Sequence, residues 1–310
     1  MQKSYWQSII DNDFALPGDK TLHELTPELL VALGSTDPEL RDSMAYPILA
    51  NWIDNGHYSP DQLRQILAQM QKNLSSNLGE TSSDSVFLRA FSSLVICEIT
   101  SYDSQNRFLR NEELQALLKA AIVSLEGEKD LRGHIPTKGW AHAIAHLADL
   151  LGLLALHPEI QAADLERILM AIATKLCQPL QHTYIYLEDE RLALATIFAL
   201  RRNLLQTDFL NLWLEQLTSV GEPFENANAI TFVSPADVCA YHNVQTYLRS
   251  LYFQLAFNKE PIVLNTEMLI ALETALKVLD HGFYIPEKQP EEAEEVIETE
   301  EEYDAVHSTN

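Results

Sequence analysis

The sequence predicts an all-α fold, and three observations predict it. Across residues 1–286 apolar residues recur at intervals of three and four, the spacing that puts them on one face of a helix. The chain holds only 10 Gly in 310 residues, where an average of about 7% would give twice that. No stretch shows sustained period-two alternation or the turn pair of a β-hairpin. Taken in order, the helix starts are marked by a capping residue followed by proline. Thr26-Pro27-Glu28 opens one helix, Asp37-Pro38-Glu39 a second, Ser59-Pro60-Asp61 a third and Ser234-Pro235-Ala236-Asp237 a fourth. In each, Ser, Thr or Asp can accept from a free backbone N–H while proline occupies the first helical position, where its missing donor costs nothing. Further helices mixing small and large apolar residues begin near Gly139-Trp140-Ala141, Asp189-Glu190-Arg191 and Val244-Gln245-Thr246. About a dozen helices result.

These helices recur at a roughly constant period. From Arg41 to Arg89 is 48 residues, from Arg89 to Trp140 is 51, and from Trp140 to Arg191 is again 51. The stretch from Leu33 through Asp37-Pro38 to Arg41 and Ala45 resembles the HEAT-repeat signature, with a looser echo from Asp84 through Arg89 to Leu94. Units of this kind usually run to about 40–47 residues. The expectation is a HEAT- or armadillo-like α-solenoid of paired antiparallel helices, with an irregular multi-helix bundle as the alternative.

Charge divides the chain. Residues 287–310 carry ten acids against Lys288 alone, net −9, whereas residues 1–286 hold 35 acids and 20 bases, net −15. So acidic and apolar-poor a segment cannot bury enough surface to offset its ordering entropy. It is expected to be a disordered tail following a single helical domain over residues 1–286. The body is acidic by itself and should be repelled by phosphate backbones, which argues against nucleic acid as a partner and against a DNA-repair glycosylase. Cys97, Cys177 and Cys239 are scattered and odd in number, as expected of reduced structural thiols. The stretch Met1 to Pro17 lacks the basic head and apolar run of a signal peptide, and no uninterrupted apolar run approaches the roughly 20 residues of a membrane span. A soluble, cytoplasmic setting with no membrane partner is the expectation.

One stretch could carry chemistry: Asp130-Leu131-Arg132-Gly133-His134, then Lys138-Gly139-Trp140-Ala141-His142, His146 and Asp149. At about 100° per residue, His142, His146 and Asp149 fall on one narrow stripe of a helix. Ile144, Leu147, Leu151 and Leu154 form a bulky face, and Ala141, Ala145, Ala148 and Gly152 a small one. Two imidazoles at i and i+4 can ligate one divalent transition metal, with Asp149 as a third ligand or an orienting partner. A fourth group would come from His134, Asp189 or Glu190. The alternatives are a solvated or groove-facing His pair hydrogen-bonded to Asp149, and a non-metal ligand site in the same groove using Arg132, His134, Lys138, Trp140, Asp189, Glu190 and Arg191. Loops such as Arg132-Gly133-His134 are usually solvated connectors, though loops also carry function disproportionately.

These residues resemble the bacterial family called domain of unknown function 2785. The resemblance rests on the Arg132-Gly133 turn, the Lys138-Gly139-Trp140-Ala141-His142 helix start, His146 and Asp149, the block Tyr46-Pro47 through Trp52, and Asp189-Glu190-Arg191. It covers nearly the whole folded region, implies an all-α architecture and brings no assigned activity.

Known enzyme signatures are mostly missing. His142-Ala143 lacks the Glu that serves as general base in HExxH metalloproteases. There is no His-Asp dipeptide, and His23-Glu24 is the sole His-Glu pair where HEAT-repeat di-iron hydroxylases use several. No GxSxG elbow, SxxK, Cys-His signature or phosphate-cradling glycine loop occurs. Tyr184, Tyr186, Tyr241, Tyr247 and Tyr252 read as interhelical packing, and Arg201-Arg202 as charges suited to a helix C-terminus. The expectation is a protein-binding scaffold or adaptor using a concave groove. A metal-binding protein or metal-dependent enzyme centred on His142, His146 and Asp149 is the competing class.

Overall fold

A computed structural model describes residues 2–220, 222–223, 230–232 and 234–280. The acidic stretch 287–310 lies outside these residues. Among them are twelve α-helices: α1 (Lys3–Asp11), α2 (Leu22–Ala32), α3 (Tyr46–Asp54), α4 (Pro60–Leu74), α5 (Ser85–Gln105), α6 (Asn111–Gly127), α7 (Ala143–Leu156), α8 (Ala162–Leu176), α9 (Glu188–Arg201), α10 (Thr207–Thr218), α11 (Pro235–Ala256) and α12 (Asn265–Leu279). A π-helical segment, Glu39–Ala45, runs straight into α3. Two short antiparallel hairpins complete the set, β1 (His134–Ile135) with β2 (Gly139–Trp140) and β3 (Glu222–Pro223) with β4 (Ile230–Thr231).

The helix starts at Ser59 and Ser234 obey capping chemistry, with departures at Thr26 and Asp37, and Val244 lies inside α11 rather than near a helix start. Ser59 and Ser234 each accept from the third helical N–H, with Gln62 and Asp237 reaching back to the cap backbone, and Pro60 and Pro235 stand at the first position. Thr26-Pro27 does not open a helix. Thr21 and Glu24 form a complete capping box five residues earlier, so Pro27 lies inside α2, and the Thr26 hydroxyl meets Tyr58 at 2.9 Å in the core instead. The Asp37 carboxylate accepts from Glu39 N–H and Leu40 N–H, but the helix it starts is the π segment.

The helices stack in two rows. In one, α3, α5, α7, α9 and α11 each pack on the next; in the other, α4, α6, α8, α10 and α12 do the same. The rows meet where α4 packs on α5, α6 on α7, α8 on α9 and α11 on α12. The apolar residues between them form one continuous buried core. Close approach of α7 and α9 depends on the small face read from the sequence, since a Cβ on Gly152 would lie 3.1 Å from Phe198 and 3.4 Å from the Ala195 backbone. Helix α5 is long and apolar enough to cross a bilayer by composition alone. Here it is a core helix, flanked by α3, α4 and α7.

Buried charge ties the rows together. Arg89 of α5 makes a two-pronged bond to Glu128 after α6, at 2.7 and 2.9 Å, both residues being almost fully buried. The remaining Arg89 donors go to the carbonyls of Ser76 and Asn77 and the Ser85 hydroxyl. Lys175 of α8 donates to the Glu128 carbonyl and to Gln178, and burial lowers its pKa to about 8. Pairing of this quality offsets the desolvation of buried ions, which would otherwise be prohibitive.

Candidate functional site

The segment between α6 and α7 folds into a hairpin that the sequence reading did not foresee. His134 faces Trp140 and Ile135 faces Gly139, with Thr137 and Gly139 both at positive φ in the turn. The pairing continues beyond the strands, as Ala141 N–H donates to Gly133 O and His142 N–H to Arg132 O. Arg132 lies along the Asp130 carboxylate with bonds of 2.7 and 2.6 Å and reaches the Ser83 carbonyl at 2.8 Å. Lys138 pairs with Asp84 at 2.7 Å on the surface. Lys138 therefore spends its charge fastening the hairpin to the start of α5, whereas Arg132 pairs with Asp130 at the hairpin's own base and reaches that region through the Ser83 carbonyl.

The tip of the hairpin is gripped by the π segment. Arg41 is fully buried; its guanidinium donates to Ser35 O at 2.6 Å, Lys138 O at 2.7 Å and Trp140 O at 3.3 Å. It stacks on the rings of Phe87 and Phe91, at 4.1 and 4.9 Å. Asp42 stands 2.7 Å from Arg41 Nε. Burial lowers the Arg41 pKa and raises that of Asp42. Gly139 fits this grip because a Cβ there would lie 2.8 Å from Pro38 Cβ and 3.1 Å from Arg41 Nη2.

Above this base Trp140 is 41% exposed. Its indole stacks on the His142 ring at 4.9 Å, with His134 and Tyr186 edge-on at 5.1 and 5.6 Å. Tyr186 can lie so close because residue 133 is glycine; a Cβ there would sit 2.0 Å from the tyrosine ring. His142 is the cap of α7 in a left-handed conformation, φ 55°, so it is not part of the helical wheel that the sequence suggested. Its Nε2 bonds Tyr186 O at 2.7 Å, and His146 Nδ1 bonds Ala90 O at 3.2 Å. A carbonyl only accepts, so those nitrogens carry the protons and the lone pairs remain on His142 Nδ1 and His146 Nε2. Burial lowers both imidazole pKa values, that of His146 to about 3. The two rings are 5.5 Å apart and neutral.

The expected ligand triad does not assemble. Asp149 is paired with Arg191 of α9 rather than with either imidazole. Burial raises the Asp149 pKa, and Arg191 works against that rise. Among the described residues no group of three or more His, Cys, Asp and Glu side chains is placed to hold a metal ion. The carboxylate nearest to His142 is Glu188, 3.9 Å from Nε2. Glu188 is almost fully buried, one oxygen accepting the Tyr186 N–H and the other without a hydrogen bond; burial raises its pKa. Beside these groups, Tyr46 of α3 donates to Glu98 of α5 at 2.6 Å.

Asp189 and Glu190 stand apart from the imidazoles, on a groove of about 440 Å³ between α9 and α11 that Thr246, Arg249, Ser250, Phe253 and Gln254 also line. A larger apolar groove of about 1410 Å³ lies at the other end of the molecule, among α2, α4 and the start of α5. Of the predicted residues, the structure thus brings His134, Trp140, His142 and His146 together, uses Arg132 and Lys138 as fasteners, and places Asp189 and Glu190 elsewhere. Sequence reasoning missed Arg41, Phe91, Tyr186 and Glu188 as members of the site. Arg41 was singled out as a repeat residue, but its partners lie about a hundred positions away, at Lys138 and Trp140.

Among known protein families, the one described as protein of unknown function (DUF2785) matches residues 74–253. No curated protein and no solved structure matches the chain.

Proposed function

Because the chain belongs to the DUF2785 family, whose matched residues 74–253 include the whole hairpin and helices α5 to α10, we propose that it is a helical-repeat scaffold that binds a protein partner through the hairpin face. The two rows of successively packed helices support a HEAT-like α-solenoid with a curved inner surface. Such folds commonly serve as extended binding surfaces. The observation that carries the binding reading is Trp140. A large aromatic left 41% exposed on a base fixed by buried Arg41 matches the rigid aromatic anchors that dominate protein interfaces, because little side-chain entropy is left to lose. The acidic body favours protein over nucleic acid as the partner, and three unpaired thiols suit a reducing cytoplasm.

The test is affinity capture from cells that naturally express the chain, with quantitative mass spectrometry. Trp140→Ala should lose at least about tenfold of a stoichiometric partner, as expected of an anchor worth more than about 1.4 kcal/mol. Leu212→Ala, at an exposed position on α10 in the other row, should retain it, and both variants should keep the wild-type circular dichroism. Equal recovery by the three proteins would remove the hairpin face as the binding surface.

A further inference from the structure

The apolar groove of about 1410 Å³ among α2, α4 and the start of α5 stands where the rest of the array has a helix-to-helix contact. Helix α2 packs on α3 as α4 packs on α5, α6 on α7 and α8 on α9, so α2 holds the place before α4 in the second row. Further along that row α4, α6, α8, α10 and α12 each pack directly on the next. Between α2 and α4 lies the groove instead, with Pro27, Leu30 and Val31 on one wall and Gln62, Ile66 and Gln69 on the other. Val31 is left 78% exposed. The floor asks for no polar partner, because the Thr26 and Tyr58 hydroxyls bond each other at 2.9 Å. Likewise Asn73 donates to Ser92 at 3.0 Å and accepts from Gln69 at 2.8 Å.

Size and charge say what fits. On α4 the lining positions Gln62, Ile66, Gln69 and Asn73 recur at four, three and four, a stripe about 16 Å long at helical rise. A helix about 10–12 Å across takes up roughly 120–170 Å³ for each residue, so about ten residues match both the length and the volume of the groove. Sites for small molecules are usually smaller, about 300–1,000 Å³. Among the described residues that line the groove, Glu28 and Asp84 are carboxylates and none is lysine or arginine; Asp84 also pairs with Lys138. The body around it carries −15. We propose that this groove seats one amphipathic helix of a partner protein, about three turns long. Its apolar face would lie on Val31, Ile66 and Leu88, and basic side chains at its edges would meet Glu28 and Asp84. An apolar groove between two helices recognises a third in this way, through side chains spaced three and four apart.

Fluorescence anisotropy with the full-length chain tests this. The probe is a lactam-stapled helical peptide of about twelve residues, a little over three turns, with leucine on one face and lysine along both edges of that face. Saturable one-to-one binding is expected. Val31→Lys and Gln65→Lys, at exposed positions on the two walls, should each weaken it at least about tenfold, as a charge set into an apolar contact does. Glu28→Gln should weaken it up to about fivefold, the worth of an exposed ion pair, and a peptide with glutamate edges should bind less tightly than the lysine one. Leu212→Lys on α10 and Trp140→Ala on the hairpin should bind like the wild type, and all variants should keep its circular dichroism. No binding at about 1 mM peptide, equal binding by wild type, Val31→Lys and Gln65→Lys, or equal affinity for lysine- and glutamate-edged peptides would overturn the proposal. So would oleate binding more tightly than the peptide and being lost in Val31→Lys, or a concentration-dependent dimer by light scattering that Val31→Lys abolishes. A lipid or a second copy would then be the occupant.

Discussion

His146 shows how a single buried imbalance becomes a measurable property. Its ring lies edge-on to Phe91 at 5.5 Å, and burial has lowered its pKa from 6.5 to about 3. Between those values the unfolded chain binds a proton that the folded chain refuses, so folding stability rises with pH across that window and is lost as pH falls below about 6.5. The loss attributable to His146 between pH 7 and pH 5 is about 2 kcal/mol. Glu188 and Asp149, whose pKa values burial raises, act with the opposite sign, because acidification relieves their buried charge. Urea unfolding at the two pH values should therefore be compared between wild type and His146→Leu, which should lack the His146 share. An unchanged pH slope in the variant would show that the ring is protonated in the folded state. The pairing of the two imidazoles was legible from their i, i+4 spacing. The backbone of His142 was not, since its left-handed turn is imposed by the hairpin before it, and the Arg191 that occupies Asp149 arrives from another helix.

Among elements, the hairpin on its π-helical support has the least local sequence logic and the most specific geometry. Gly139 combines φ 77° with a Cβ position 2.8 Å from Pro38. Gly139→Ala adds both left-handed strain and a clash with backbone-anchored proline, and should cost about 2 kcal/mol or more. Chemical denaturation, with Trp140 exposure read by acrylamide quenching, should show the hairpin loosened. Gly18→Ala, where no atom lies within 4 Å of the added carbon, serves as the neutral control, and equal midpoints for the two would refute the grip. Helix periodicity and the Ser59 and Ser234 caps were readable because they depend on residues three and four apart. Pro27 misled because a stronger capping box at Thr21 and Glu24 competes with it nearby. The hairpin escaped because each strand is two residues long, too short for alternation to register. The buried arginine that anchors it finds its partners only after the chain has returned.

At the scale of the whole molecule, charge is the property the sequence states most directly. The body carries −15 and residues 287–310 a further −9, and like charges oppose compaction within the reach of the ionic screening. That reach is about 30 Å at 0.01 M salt and about 8 Å at 0.15 M. At low salt the terminal acids therefore act on much of the body, whereas near physiological salt they act only on their immediate neighbours. Removing residues 287–310 while keeping His281–Pro286 should leave the melting midpoint unchanged at 0.15 M salt. It should raise the midpoint at 0.01 M, so that the truncated protein depends less on added salt than the full chain. Differential scanning calorimetry of both chains across that range decides the matter. A large fall in the midpoint at 0.15 M would mean that the acidic stretch packs on the body, and its charges would then have to be counted as part of the fold.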